Sequence, residues 1–302
     1  MNDRGGGYAD PAARKVLALV NVKILGSFEI SVQGNSIVPS APKLRQILAL
    51  LAIRSNSVVA VSDFVDEIWG GAPPRSLSTT LQTYILQIRK ILKCEGEAEG
   101  DGEAGENGLQ SSIITHPGGY LLQTPESTKK DFEDFNESVE KGHREMLFGH
   151  YTEAVRTLSD ALSLWRGSAL VDVHRGSLLD SCAVRLEEAR LSARILRTDA
   201  CLGQGCDLQL LPELNSLVGL HPLNEKLQYQ RMLALYRSGQ VAESLQSYRN
   251  FYSAVKEQVG IEPSPQLQEL QRAIFDSLPV LSEPSPSAET HKVISGSIRR
   301  SP

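Results

Sequence analysis

The sequence predicts a mainly α protein with small β elements, in which a mixed N-terminal module precedes an all-helical one. Three observations predict it. Short alternating apolar segments flank three helix-spaced stretches between Val20 and Leu122. From about Lys130 onward helical spacing runs without strand signals. A chain of 302 residues is also long enough for two domains, each with its own core. The expected division is a disordered N-terminus over 1–19, a first domain over 20–124 with an acidic insert at 95–110, a helical domain over 127–280 and a disordered tail over 281–302.

The first module reads as sheet, three helices, hairpin. Val20, Val22 and Ile24 alternate with Asn21 and Lys23, Phe28 and Ile30 follow, and Gly34-Asn35 signals a turn before Ile37-Val38. Pro42 opens a helix to about Arg54, with Leu44, Ile47, Leu48, Leu51 and Ala52 at helical spacing. Ser62 is expected to cap a second helix whose buried stripe is Phe64, Val65, Ile68 and Trp69. Gly70 to Pro74 is a loop. Ser76 or Ser78 starts a third helix reaching Lys93, with Leu77, Leu81, Ile85, Ile88 and Leu92 on one face. Ile113 to Thr115 and Tyr120 to Leu122, joined by His116-Pro117-Gly118-Gly119, form a hairpin.

The second module carries a repeated block. Gly149-His150-Tyr151-Thr152-Glu153-Ala154-Val155 recurs in character as Gly239-Gln240-Val241-Ala242-Glu243-Ser244-Leu245. Small and aromatic residues at these offsets suit helix hairpins stacked as in tetratricopeptide repeats. Pro263-Ser264-Pro265 caps a last helix, Gln266 to Ser277.

Composition narrows the function. Hydrophobic residues are 41% and charged residues 22%, an ordinary globular balance. No apolar run reaches the roughly 20 residues of a bilayer span, and Met1 to Asp10 is polar without a secretory apolar core, so a cytoplasmic location is expected. Cys94, Cys182, Cys201 and Cys206 form no C-x-x-C pair, and the six histidines lack ligand spacing, so neither metal nor cofactor is expected. The phosphate loop, the zinc helix H-E-x-x-H and the serine elbow G-x-S-x-G are absent from the sequence, which argues against an enzyme.

The net charge of −5 hides an uneven distribution. Six acids and no base lie between Glu95 and Glu106, and without them the remainder is close to neutral. From Lys43 to Lys93 seven bases face three acids. Screening confines a field to about a Debye length, so the local excess decides whether phosphate is attracted. The insert is either a passive loop or an electrostatic brake on that attraction.

Phe64-Val65-Asp66-Glu67-Ile68-Trp69-Gly70, the helix Leu81 to Leu92 and the hairpin Thr115-His116-Pro117-Gly118-Gly119-Tyr120 together resemble the OmpR-type winged helix-turn-helix. Ala161-Leu162-Ser163-Leu164-Trp165-Arg166-Gly167, His221-Pro222-Leu223, Leu233 to Gly239 and Gly260-Ile261-Glu262-Pro263-Ser264-Pro265 resemble a bacterial transcriptional activation domain. In this order the two look like the Streptomyces antibiotic regulatory protein family, over about Val20 to Pro279. The acidic insert is longer than the pattern asks. The sequence is expected to lack the ATPase and repeat modules of the largest relatives. With no receiver domain ahead of the winged helix, phosphorylation is not the expected switch.

The third helix carries the chemistry of base reading. Gln87 can bridge the adenine edge, and Thr83 and Leu86 can touch a thymine methyl in the major groove. The resemblance places Thr83 and Gln87 among base readers and Arg75, Thr79, Thr80, Tyr84, Arg89 and Lys90 near phosphates. It makes Thr115 and His116 the wing, where His116 enters the minor groove, binds phosphate or only caps the turn. Tyr120 and Trp69 read as core. The family's loop before the recognition helix faces RNA polymerase, which singles out Gly71, Pro73 and Pro74, although a plain connector fits the same residues.

The resemblance implies a transcription activator that binds direct repeats of double-stranded DNA as a dimer, at promoters of antibiotic biosynthesis genes in the nucleoid. It would recruit RNA polymerase holoenzyme through the sigma factor. The alternative is a helical adaptor or ligand sensor whose winged helix is only a protein interface; a mobility shift on promoter DNA separates the two.

Overall fold

The structure, a computed structural model, describes residues 20–94 and 112–277, with the backbone alone at Lys93, Cys94 and Ser112. The expected disordered N-terminus, acidic insert and tail lie outside the described residues. The chain is mainly helical with two small sheets. It forms two compact units: residues up to Glu133 with Arg166–Leu186, and Asp134–Trp165 with the residues from Glu187 onward. These units do not follow a linear division near residue 124, because Arg166–Leu186, expected in the helical domain, belongs to the first.

The first unit opens with β1 (Val20–Lys23), β2 (Glu29–Val32) and β3 (Asn35–Ser36). The β1–β2 pair is antiparallel, with Val22 opposite Ile30. Alternation buries Val20, Val22, Ile30 and Val32 on one face. The turn falls one residue earlier than Gly34-Asn35: Gln33 and Gly34 both take positive φ, at 53° and 90°, as a two-residue hairpin demands. A late strand, β7 (Lys129–Lys130), joins β1 in parallel and completes the order β3–β2–β1–β7.

Helix α1 (Pro42–Ile53) buries every residue from Gln46 to Ala52 and is the central helix of this unit, not a one-faced surface helix. Helix α2 (Val61–Trp69) begins without the expected Ser62 cap. The helix starts one residue before Ser62 and so takes that residue into its first turn, while the Val61 amide donates to the Gly118 carbonyl of the hairpin turn at 2.9 Å. Phe64 and Ile68 are buried as expected, but Val65 and Trp69 are only half-buried, and the third buried residue is Glu67. Helix α3 (Leu77–Cys94) buries Leu81, Ile85, Ile88 and Leu92. The strands β4 (Val59–Ala60), β5 (Ser112–His116) and β6 (Gly119–Gln123) form a second sheet in the order β4–β6–β5.

The segment 166–176 seals the first unit through backbone polarity rather than apolar burial alone. The amides of Arg166 and Leu170 donate to Leu25 and Ile24 carbonyls at 2.8 and 3.1 Å. Asp172 accepts from the Phe28 amide at 2.7 Å and pairs with Arg45 at 2.9 Å. Asp131 accepts from the Ile24 and Leu25 amides at 2.9 and 3.1 Å. Burial pushes its carboxyl above the ordinary range, against the pull of those amides and of Arg166.

The second unit contains α4 (Asp131–Leu147) from Asp134, α5 (Tyr151–Ser163), α6 (Ser177–Gln204) from Glu187, α7 (Asp207–Leu220), α8 (Glu225–Arg237), α9 (Val241–Gln258) and α10 (Pro265–Phe275). The repeated sequence blocks fold alike. After α4 and after α8, a glycine at φ 76° and 78° is followed by a residue whose amide reaches back five positions, His150 to Glu145 and Gln240 to Leu235, at 2.9 and 2.8 Å. Gly205 ends α6 in the same way, with Cys206 bonded back to Cys201 at 3.1 Å. Helix α8 is enclosed: Leu227, Met232, Leu233 and Ala234 pack with Leu214, Phe251, Leu270 and Ile274. Its buried Gln228 and Gln230 donate through Nε2 to Ser247 Oγ and Ile195 O, which pairs their amide nitrogens. Trp165 packs edge-on against Phe135 at 5.5 Å under the Arg190 guanidinium.

Candidate nucleic-acid interface

Helix α3 supplies the candidate interface because its two faces differ. Opposite the buried leucines and isoleucines lie Ser78, Thr79, Gln82, Thr83, Leu86, Gln87 and Lys90, all exposed. Leu86 is 55% exposed in the middle of this stripe, where a large aliphatic side chain gains nothing from water. Thr83 Oγ1 donates to the Thr79 carbonyl at 2.8 Å and Thr80 Oγ1 to the Ser76 carbonyl at 3.0 Å. Each hydroxyl therefore turns its proton into the helix and leaves lone pairs outward. An outward acceptor suits a base amino group. It suits phosphate poorly, which is a reason to weigh Thr80 less among the backbone residues.

The expected site residues fall into three places. Thr83, Leu86 and Gln87 share the exposed face, with Lys90 a turn beyond. Arg75 and Thr79 are exposed at the helix start, and Tyr84 is half-buried on its flank. Arg89 departs from the phosphate reading. Its Nε and Nη2 donate to the Ile113 carbonyl at 3.0 and 2.8 Å, and Nη2 also donates to Thr115 Oγ1 at 2.8 Å. Its fork is committed to the hairpin because Ile113 presents a carbonyl to α3.

The hairpin β5–β6 is the wing. Thr115 pairs with Tyr120 and His116 with Gly119 across it, and both Thr115 and His116 are exposed. His116 Nδ1 lies 3.3 Å from the Pro117 carbonyl. Tyr120 is buried and meets Phe64 edge-on, as a core residue should. The wing is anchored at its base by β4, through the pairs Val59–Tyr120 and Ala60–Gly119. A Cβ on Gly119 would stand 2.2 Å from the Val59 carbonyl oxygen, so only glycine permits this pairing.

The loop between α2 and α3 leaves Gly71 and Pro73 exposed and Pro74 half-buried. Gly70 and Gly71 take positive φ, and the Lys43 ammonium donates to the Ile68 carbonyl at 2.6 Å just before them. Behind the loop, Glu67 holds the start of α6. Its carboxylate accepts from the amides of Gly176, Leu178 and Leu179 at 2.6, 2.8 and 3.1 Å, and Gln46 Nε2 lies 3.2 Å away. A carboxylate at the positive end of a helix on three otherwise orphan amides is a strong cap. Glu67 was open to discovery in the sequence, because it shares the buried stripe with Phe64 and Ile68. Among the described residues no group of three His, Cys, Asp or Glu could hold a metal ion, and no helix is long and apolar enough to cross a membrane.

This geometry defines a winged-helix regulator joined to a helical domain, and the comparisons with known proteins agree. The family described as "Transcriptional regulatory protein, C terminal" matches residues 34–100, and the bacterial transcriptional activator domain matches residues 130–275. Regulatory protein DnrI of Streptomyces peucetius is 38% identical over 267 residues, 88% of this chain and 96% of that protein. Transcriptional regulator RedD of Streptomyces coelicolor is 32% identical over 88% of this chain and 73% of its own length. Regulatory protein AfsR of Streptomyces coelicolor is 30% identical over 93% of this chain but only 27% of its own length. Among solved structures, Mycobacterium tuberculosis EmbR in complex with a low affinity phosphopeptide aligns with a TM-score of 0.78 and 26% identity, over 93% of this chain and 70% of that one. The chain belongs to the Streptomyces antibiotic regulatory protein family and is a transcriptional activator of that type.

Proposed function

We propose that this activator lays α3 in the major groove and the wing in the adjacent minor groove, and that two copies bind direct repeats ahead of antibiotic biosynthesis genes. The bound pair recruits RNA polymerase holoenzyme through the sigma factor, in the cytoplasm at the nucleoid. The observation that carries this reading is the exposed polar stripe of α3 with Leu86 at its centre. A helix fits the major groove, whose base pairs each display a distinct donor and acceptor pattern. Recruitment needs no chemistry from the activator, since added contacts raise polymerase occupancy by mass action.

The assignment within the stripe is tested by two substitutions. Gln87→Ala removes a bidentate base contact and is expected to relax preference at one base pair, at about 1–3 kcal/mol. Lys90→Ala removes a phosphate contact, weakens all sequences alike and lowers the salt slope by about one. Equal losses on specific and random duplexes for both variants would remove Gln87 from the reading residues. A chain that shifts no promoter duplex at all would instead support the adaptor alternative.

The loop is tested separately. Gly71, Pro73 and Pro74 lie off the base-reading face, and two prolines limit what the loop must order on docking. Changing Pro73 and Pro74 to glycine is expected to leave the duplex shift intact while transcript yield in a purified system falls roughly 5- to 30-fold, since each proline lost adds about 0.5–1 kcal/mol of ordering on docking. Yield that falls only with DNA affinity would make the loop a spacer and move the polymerase contact to the helical domain.

A further inference from the structure

The wing has an unequal pair of edges. In the order β4–β6–β5, strand β6 has a neighbour on both sides, whereas among the described residues β5 pairs with β6 alone. The free side of β5 turns the Ile113 carbonyl toward α3, and Arg89 takes it with two donors at 3.0 and 2.8 Å. The same guanidinium reaches two residues along the strand to Thr115 Oγ1 at 2.8 Å. One planar fork therefore holds two points of the outer wing strand to the recognition helix, a geometry that a lysine ammonium cannot reproduce.

The Thr115 bond has a direction. A guanidinium only donates, so Thr115 Oγ1 is the acceptor and its own proton is free to point elsewhere. Thr115 is exposed, so that proton is free to meet an acceptor outside the chain. This is the reverse of Thr80 and Thr83, whose protons are spent on helix carbonyls. A hydroxyl with an outward proton is a phosphate donor.

We infer that Arg89 is the positioning residue that sets the wing against the recognition helix and turns the Thr115 hydroxyl into a donor toward a DNA phosphate. The inference rests on the proposed DNA binding. Arg89 acts through Thr115 and the strand rather than by touching the nucleic acid. Gln87 and Lys90 read and grip the groove directly, and the wing reaches its own groove only at the angle that Arg89 fixes.

The test is a double-mutant cycle in the full chain, using Arg89→Lys and Thr115→Val, on a duplex selected by the wild-type protein. Arg89→Lys keeps the charge and the aliphatic stem and loses only the fork. Each single change is expected to weaken binding about 10-fold, and the pair also about 10-fold rather than about 100-fold, because both remove one shared contact. Additive losses, or full activity in Arg89→Lys, would mean that Arg89 meets phosphate as a plain charge and would overturn the inference. A second measurement needs no DNA: amide hydrogen exchange of β5 and β6 is expected to quicken in Arg89→Lys while exchange in α1 stays unchanged. Unchanged exchange in the wing would overturn the brace even if the chain bound no DNA, and that failure of binding would be read from the wild type alone.

Discussion

Replacing Glu67 with alanine is expected to destabilise the first unit by about 3–5 kcal/mol, more than any surface substitution in the interface. Glu67 is 2% exposed, and three amides of the α6 start depend on it: Gly176, Leu178 and Leu179. Leu179 is itself buried, so water does not replace the lost acceptor there. Each buried donor left unmade costs about 1–3 kcal/mol, and the helix also loses an anion at its positive end. Gln46 adds to the loss: its side chain is fully buried and its Nε2 lies 3.2 Å from the same carboxylate. Glu67→Gln keeps one acceptor but points an NH2 group at N–H donors, so it is expected to recover less than half of the loss. Denaturant unfolding of the full chain gives the magnitude. Hydrogen exchange at Leu178 and Leu179 gives the location, and amides there that exchange as slowly in the variant as in the wild type would show that Glu67 is not their cap.

The partners of Glu67 explain what the sequence could and could not say. Elements set by near neighbours were legible. Alternation from Val20 to Ile30 places β1 and β2, and the spacing of Leu81, Ile85, Ile88 and Leu92 both orients α3 and exposes Thr83, Leu86 and Gln87 together. The Gly149 and Gly239 blocks were legible for the same reason, since a helix-ending turn is closed by residues five positions apart. Interactions between distant backbone groups left no pattern. Gly176 meets Glu67 across 109 positions, and Leu25 accepts from the amide of Arg166, a bond that no side-chain type announces. Arg166–Leu186 therefore reads as part of a helical run, although it closes the first unit. Arg89 reads as a phosphate contact for a related reason. A base on a basic helix suggests DNA, while its main partner, the Ile113 carbonyl, has no signature in sequence. Ser62 fails as a cap because the helix starts earlier, at Val61, whose amide is met by the Gly118 carbonyl far along the chain.

Gly118 and Gly119, adjacent at the wing tip, are expected to respond to a methyl group for different reasons and to different degrees. Gly118 takes φ +84° with no heavy atom within 4 Å of an added Cβ. Alanine there meets only the intrinsic penalty of left-handed backbone, about 1–2 kcal/mol, and asparagine less. Gly119 needs no positive φ, yet a Cβ would sit 2.2 Å from the Val59 carbonyl oxygen and 2.9 Å from Val58 Cγ1. The Val58 methyl can rotate away. The carbonyl cannot, because Val59 is paired to Tyr120 in the ladder that joins β4 to β6. Gly119→Ala must therefore part the two strands, at the upper end of the roughly 1–3 kcal/mol of overpacking or beyond it. The damage spreads along a defined route. Parting the strands draws the Gly118 carbonyl away from the Val61 amide, 2.9 Å apart in the intact wing, and so loosens the first turn of α2. The wing and the start of α2 are expected to lose exchange protection together, and DNA affinity to fall with them, whereas Gly118→Asn retains both. Equal stability and equal affinity for Gly118→Asn and Gly119→Ala would show that the β4–β6 pairing is not what seats the wing.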